Sequence, residues 1–224
     1  MGKKVVAIVI FFFLLSSPLL AKAASIRNGT FLELRGGFYH PSDSDAWDTA
    51  FGRTFSGFGG LKLSQEVLKN IEIGLSADYM HAKARNWHVF YVPMGLSMTY
   101  AMRYHQDQLF VPYLGGGVDY VYGKTSKLKQ QTDTGQSETG PTYLQKSGYH
   151  AQAGIRLLLD ALSEDETSGI DEKYGVNNSY LVFEARYLKL FNADYADQPL
   201  DGKPGTGYLD PKGMFISMGI LVEF

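Results

Sequence analysis

Five histidines, His40, His81, His88, His105 and His150, are the side chains best suited to moving a proton near neutral pH. A hydrolytic centre would need one of them within reach of a nucleophile and an orienting carboxylate. Ser147, His150 and Glu184 can be drawn as such a set. The spacing works against it: on a strand, an odd offset puts Ser147 and His150 on opposite faces. His150 then reads as one more polar group of its own face. The chain has no cysteine, which removes disulfide scaffolds, thiol nucleophiles, Cys-ligated zinc and a lipidated N-terminal cysteine together.

Oxygen-rich clusters are the other source of chemistry. Asp43, Asp45 and Asp48 surround Trp47, and Asp194, Asp197, Asp201 and Asp210 crowd a later segment. Carboxylates of this density can hold Ca²⁺, but neither cluster has the spacing of a recognisable calcium loop, and both read as solvated turns. No catalytic residue, cofactor site or metal site is assigned, and the expectation is a protein that is not an enzyme. The polar residues that do form a pattern are Glu33, Arg35, Lys62, Glu72, Asp78, Asp119, Arg156, Glu184, Arg186 and Glu223. Their meaning depends on the elements that carry them.

Alternation defines eight segments: 30–40, 54–66, 71–82, 88–102, 109–123, 147–160, 179–191 and 213–224. One face of each is free of charge. It runs Leu32, Leu34, Gly36, Phe38 in the first segment, and Phe90, Val92, Met94, Leu96, Met98, Tyr100 in the fourth. The last gives Met214, Ile216, Met218, Ile220, Val222, Phe224. Over all eight segments the clean face covers 43 positions without a charge, where the chain's 20% charged content would place about nine. The opposite face holds the ten charged residues above, small polar groups such as Ser76, Ser97, Thr99, His150, Gln152 and Ser217, and many glycines.

A soluble barrel or sandwich would bury its clean face and leave the charges in water. A membrane barrel does the reverse. Each segment is long enough to cross hydrocarbon at a tilt of about 45°, for which roughly 9–11 residues suffice. The regularity of the clean face and the N-terminus favour the second. Lys3 and Lys4 precede an apolar run interrupted by Ser16, Ser17 and Pro18, and Ala21-Lys22-Ala23 is a small-x-small cleavage pattern. Residues 1–23 therefore read as a secretory signal peptide and 24–224 as the exported barrel domain. Loss of Lys3, Lys4 and Lys22 would take 21 basic groups to 18 against 23 acidic ones, a net charge of −5. Neither the whole chain at −2 nor the exported part has the basic character that nucleic-acid binding requires.

Lipid offers no water to unpaired backbone groups, so such a sheet must close. Eight strands enclose an interior that side chains fill, which predicts a plugged barrel in which acids pair with bases. Pro93 and Pro112 are the positions where the hydrogen-bonded ladder could break. Trp87 and the tyrosines Tyr79, Tyr100, Tyr120, Tyr122 and Tyr187 suit an interfacial aromatic belt. Trp47, Trp87, Phe51 and Tyr195 are also candidates for contact with a partner or with lipopolysaccharide sugars.

The final segment, Gly-Met-Phe-Ile-Ser-Met-Gly-Ile-Leu-Val-Glu-Phe ending at Phe224, resembles the last strand of bacterial outer-membrane β-barrels. With the export signal and the eight segments, residues 24–224 are similar to the small eight-stranded outer-membrane barrels that include the OmpA transmembrane domain, OmpX and OmpW. The resemblance implies an all-β, antiparallel up-and-down transmembrane barrel in a Gram-negative outer membrane. It implies lipid and lipopolysaccharide as surroundings, the barrel-assembly machinery as a partner that reads Phe224, and both termini on the periplasmic side. Segments 67–70 and 103–108 would then be periplasmic turns, and 41–53, 83–87, 124–146 and 192–212 outer loops, free to bind an unidentified partner. The connection 161–178 is longer than the architecture usually allows; its Ser163-Glu164-Asp165-Glu166 and Asp171-Glu172-Lys173 suit a short solvated helix. Three roles follow: a filled, non-enzymatic barrel with interacting loops; an OmpW-like narrow conduit for small hydrophobic molecules; and a lipid-modifying enzyme.

Overall fold

The computed structural model describes residues 29–42, 48, 55–83, 87–105, 108–127, 142–159, 176–191 and 212–224. The export segment, the acidic clusters apart from Asp48, and the acidic stretch 163–173 lie outside these residues. Eight strands run in chain order: β1 Thr30–Pro41, β2 Ser56–Leu68, β3 Ile71–Lys83, β4 Trp87–Ala101, β5 Phe110–Lys127, β6 Thr142–Leu158, β7 Asn178–Leu190 and β8 Gly213–Glu223. Each pairs antiparallel with its neighbours, and β1 pairs with β8, so the sheet closes into a barrel without an edge.

Period-two alternation survives in the folded chain. Leu34 and Met98 on the outer wall are 63% and 61% exposed, whereas Arg156 and Glu72 inside are 1% exposed. No strand carboxylate among the described residues faces outward: Glu33, Glu66, Glu72, Asp78, Asp119, Glu184 and Glu223 all share the inward parity.

The ends of β5 and β6 depart from the expected limits. The β5–β6 ladder continues past Gly123↔Leu144 to Thr125↔Thr142, and β4–β5 pairing reaches Trp87↔Lys127. Apolar alternation stops before the backbone ladder does, because main-chain pairing needs no apolar side chain. The β2–β3 connection is tighter than expected. Only Lys69 and Asn70 lie outside the strands, and the register shifts between Glu66 and Leu68. Asn70 takes the left-handed φ of 68° that asparagine tolerates better than most residues. Glu66 Oε1 accepts the Asn70 backbone N–H at 2.7 Å.

Pro93 and Pro112 behave differently. The β3–β4 ladder pairs Ala77 with Met94 and Met80 with Tyr91 but skips the intervening residues, where Pro93 stands without an N–H to donate. Pro112 stays inside the β5–β6 ladder opposite Ile155, and its carbonyl accepts the Met102 N–H at 2.9 Å. It breaks nothing.

The interior is layered. At the end carrying the β2–β3 turn, Phe31, Ala101, Val111, Tyr113, Leu158, Tyr180, Val182 and Leu221 form one apolar cluster. At the opposite, loop end, Tyr39, Phe58, Met80, Ala82, Val89, Tyr91, Val121, Leu188, Leu190 and Phe215 form another. Charged residues occupy the space between and reach into the turn-end layer. Two glycines show how tightly this filling fits. A Cβ on Gly154 would stand 2.5 Å from the Tyr113 ring, and one on Gly60 would collide with the Asp78 carboxylate.

Candidate functional site

The polar interior is the site that the fold assembles. Its centre is Asp78 on β3. Arg35 on β1 grips it with two parallel bonds, Nε to Oδ1 at 2.9 Å and Nη2 to Oδ2 at 3.0 Å. This fork-to-fork geometry is the strongest that a guanidinium offers a carboxylate. Arg186 on β7 donates to the same Asp78 Oδ2, and its guanidinium lies 4.7 Å from the Phe215 ring centroid. Arg35 also donates through Nη1 to Glu184 at 2.9 Å, and Tyr113 donates its hydroxyl to the other Glu184 oxygen at 3.0 Å. One knot therefore ties β1, β3, β5 and β7, elements that are not sequential neighbours in the wall.

A second knot lies towards the turn end. Arg156 on β6 holds Glu72 on β3 with two bonds of 2.7 Å. Its guanidinium sits 5.0 Å from the Tyr113 centroid and 5.5 Å from that of Phe31, contacts of a kind worth about 2 kcal/mol when desolvated. Arg103, in the β4–β5 connection, reaches back over this end. It bonds Glu72 at 2.7 Å and Glu66 at 3.4 Å, approaches Glu223 at 3.9 Å, and covers Phe31 at 4.9 Å. Glu223 sits half-buried at the rim, where Asn178 and Tyr180 donate to it at 3.0 and 3.2 Å.

Glu33 and Lys62 stand directly across the β1–β2 ladder. Neither Glu33 Oε1 nor Lys62 Nζ has a hydrogen-bond partner among the described residues, so Glu33 interacts with Arg35 and Lys62, and Lys62 with Glu184 and Glu33, through charge alone. Asp119 belongs to a separate pair, with His150 Nδ1 at its Oδ2. The interior thus joins Arg35, Asp78, Arg186 and Glu184 in one knot and Glu72 with Arg156 in another. Glu33 and Lys62 lie in the field of Arg35 and Glu184, Arg103 brings Glu223 to the edge of the second knot, and Asp119 with His150 stands apart.

The Ser147, His150 and Glu184 set does not assemble. Ser147 is exposed on the outer wall, while His150 is buried with Asp119. Sequence reasoning missed Arg103 and Glu66. Both were detectable: Ala101 faces inward, so Arg103, two residues further, keeps that parity, and Glu66 follows Lys62 and Ser64 on the inner face of β2.

No protein-family model matches this chain, and no curated protein matches it. Solved structures do. The outer membrane protein OprG from Pseudomonas aeruginosa is 14% identical, with 88% of this chain and 96% of that one covered and a TM-score of 0.50. Ail, the attachment invasion locus protein of Yersinia pestis, is 11% identical over 88% and 98% of the two chains, at a TM-score of 0.49. Neisserial surface protein A is 13% identical over 88% and 97%, at 0.48. The fold is that of the small eight-stranded outer-membrane barrels.

Proposed function

We propose that this protein is a non-enzymatic barrel of the Gram-negative outer membrane, with a side-chain-filled interior that acts as a structural seal and loops at one end that meet the surroundings. The observation that carries the reading is inverted polarity. Every strand carboxylate among the described residues is turned inward, and the wall turned outward is apolar except for basic residues at its loop end. Water would dissolve the carboxylates and reject the wall; hydrocarbon does the opposite.

The seal follows from the layers. A solute travelling along the axis would have to separate two apolar clusters and break the Arg35–Asp78–Arg186 and Arg156–Glu72 ion pairs. Reconstitution in planar bilayers tests it: little or no steady conductance is expected, and a stable channel of porin size would overturn the filled interior. The outward position of Ser147 and the burial of His150 support a role without catalysis. Lipid A extracted from cells with and without the protein should have the same mass; a missing or added acyl chain would overturn this part. Residues 1–23 as export signal and Phe224 as the mark read by the barrel-assembly machinery complete the reading, and replacing Phe224 by Ala should lower the amount of assembled barrel.

One observation favours a second reading, a sideways conduit for small hydrophobic molecules. The ladder gap at Pro93 interrupts the β3–β4 seam at the level of Asp78. Pro93→Ala restores a donor there. If uptake of an apolar solute depends on this protein and falls in that variant, the conduit replaces the seal.

A further inference from the structure

The outer wall is apolar but not uniform. On β3, β4 and β5, at the loop end, it carries His81, Lys83, His88 and Lys124, all with outward parity. They form one group. Lys83 faces His88 across the β3–β4 ladder, and His81 and His88 have ring centroids 6.0 Å apart. Phe90 pairs with His81 on one side and with Lys124 on the other. Beside them runs an aromatic ledge: Tyr79 stacks on Phe90 at 6.5 Å, and Phe90 meets Tyr122 at 6.0 Å. Lys124 reaches over the Tyr143 ring at 5.7 Å.

This group has no outward carboxylate to neutralise it among the described strand residues. Lys189 on β7 is the other outward lysine at this end, away from the group. Across the barrel, the loop ends of β8, β1 and β2 present Met214, Ile216, Phe38 and Phe55, and the imidazole of His40 is engaged with the carbonyl of its own neighbour Pro41 at 2.9 Å. At the turn end the strands present apolar side chains such as Ile73, Met98, Tyr100 and Phe110. Two lysines and two imidazoles, hydrogen-bonding groups all, set immediately beyond a band of aromatics match a ligand with anionic groups at headgroup level and acyl chains below it.

We propose that this face of β3–β5 docks a phosphorylated glycolipid of the outer leaflet, with lipid A phosphates on His81, Lys83, His88 and Lys124 and its sugar and proximal acyl carbons against Tyr79, Phe90 and Tyr122. The proposal rests on the membrane placement given above and adds to it a binding site on one side of the barrel. Its charge complementarity is local, because residues 24–224 as a whole are acidic.

The test uses residues 24–224 folded in detergent micelles, with bound lipid counted by native mass spectrometry. Bisphosphorylated lipid A is titrated against dephosphorylated lipid A and phosphatidylglycerol. Binding of the bisphosphorylated form should be about tenfold tighter than that of either competitor, and the H81Q/K83Q/H88Q/K124Q variant should lose that margin. H40Q, on the opposite wall, should bind as the unaltered protein does. If the fourfold variant does not fold, K83Q/K124Q carries the comparison, with a loss of about threefold expected. Equal affinity for phosphatidylglycerol, or affinity untouched by the substitutions, overturns the site. A chain that stays folded and monomeric without detergent would instead overturn the membrane reading, which is a different result.

Discussion

Arg35 makes three hydrogen bonds to two carboxylates, all buried. Truncating one partner of such a set leaves charge uncompensated, at a cost of about 3–5 kcal/mol. Arg35→Met should therefore destabilise the barrel by about that much in urea titrations on lipid vesicles. Glu33 and Lys62 should behave differently, since Glu33 Oε1 and Lys62 Nζ gain no hydrogen bond from being buried. Replacing both, as E33Q/K62M, removes the charges together and should leave stability unchanged or raise it by about 1–4 kcal/mol. A loss as large as that of Arg35→Met would mean that the charges of Glu33 and Lys62 hold Arg35 and Glu184 in place as firmly as hydrogen bonds do. Asn70 supplies a third residue-scale test. Its positive φ suits glycine, but its Nδ2 donates to the Arg103 carbonyl at 3.2 Å, so Asn70→Gly should cost no more than about 1 kcal/mol and Asn70→Val about 1–2 kcal/mol more by the same titration.

At the scale of elements, each strand obeys a rule with two solvents, and that rule made most of the fold legible. Alternation alone assigns Leu96 to the outside and Ser97 to the inside of β4, because hydrocarbon tolerates no charge on the wall, and both residues take those sides in the barrel. Leu96→Arg should cost about 2–4 kcal/mol if it lies near the bilayer midplane, with little change on raising salt; a neutral result would mean that this wall does not face lipid. The rule falls silent where strands leave the apolar zone, which is why Lys124 to Lys127 and Thr142 to Lys146 read as loop while pairing as strand. It is silent too on partners. Parity puts Arg35, Asp78, Glu184 and Tyr113 inside, but whether Asp78 meets Arg35 or Lys62 depends on register and stagger around the cylinder, and a strand's own sequence does not carry these. Arg103 was legible by parity and overlooked because it lies beyond the last residue of β4.

For the whole molecule, stability is shared between the wall and what fills it. The two ion-pair knots connect strands on opposite sides of the barrel, so local opening of one hairpin would pull against residues far along the chain, such as Arg35 and Glu184. Unfolding should be all-or-none. Folded barrel run unheated in SDS gels should migrate apart from the heated chain, with no species between them; a stable intermediate would mean that the wall can open without releasing the interior.

The cylinder is completed where β1 meets β8, a ladder from Phe31↔Glu223 to Pro41↔Gly213. The earliest strand to be synthesised thus waits for the latest before its second row of amide and carbonyl groups is satisfied. A nascent chain stopped at Leu190 would own two raw flanks and half of a buried charge pattern, fit neither for water nor for oil. If the barrel enters lipid as proposed, its closure has to wait until β8 has been made, and until then β1 carries an unpaired edge.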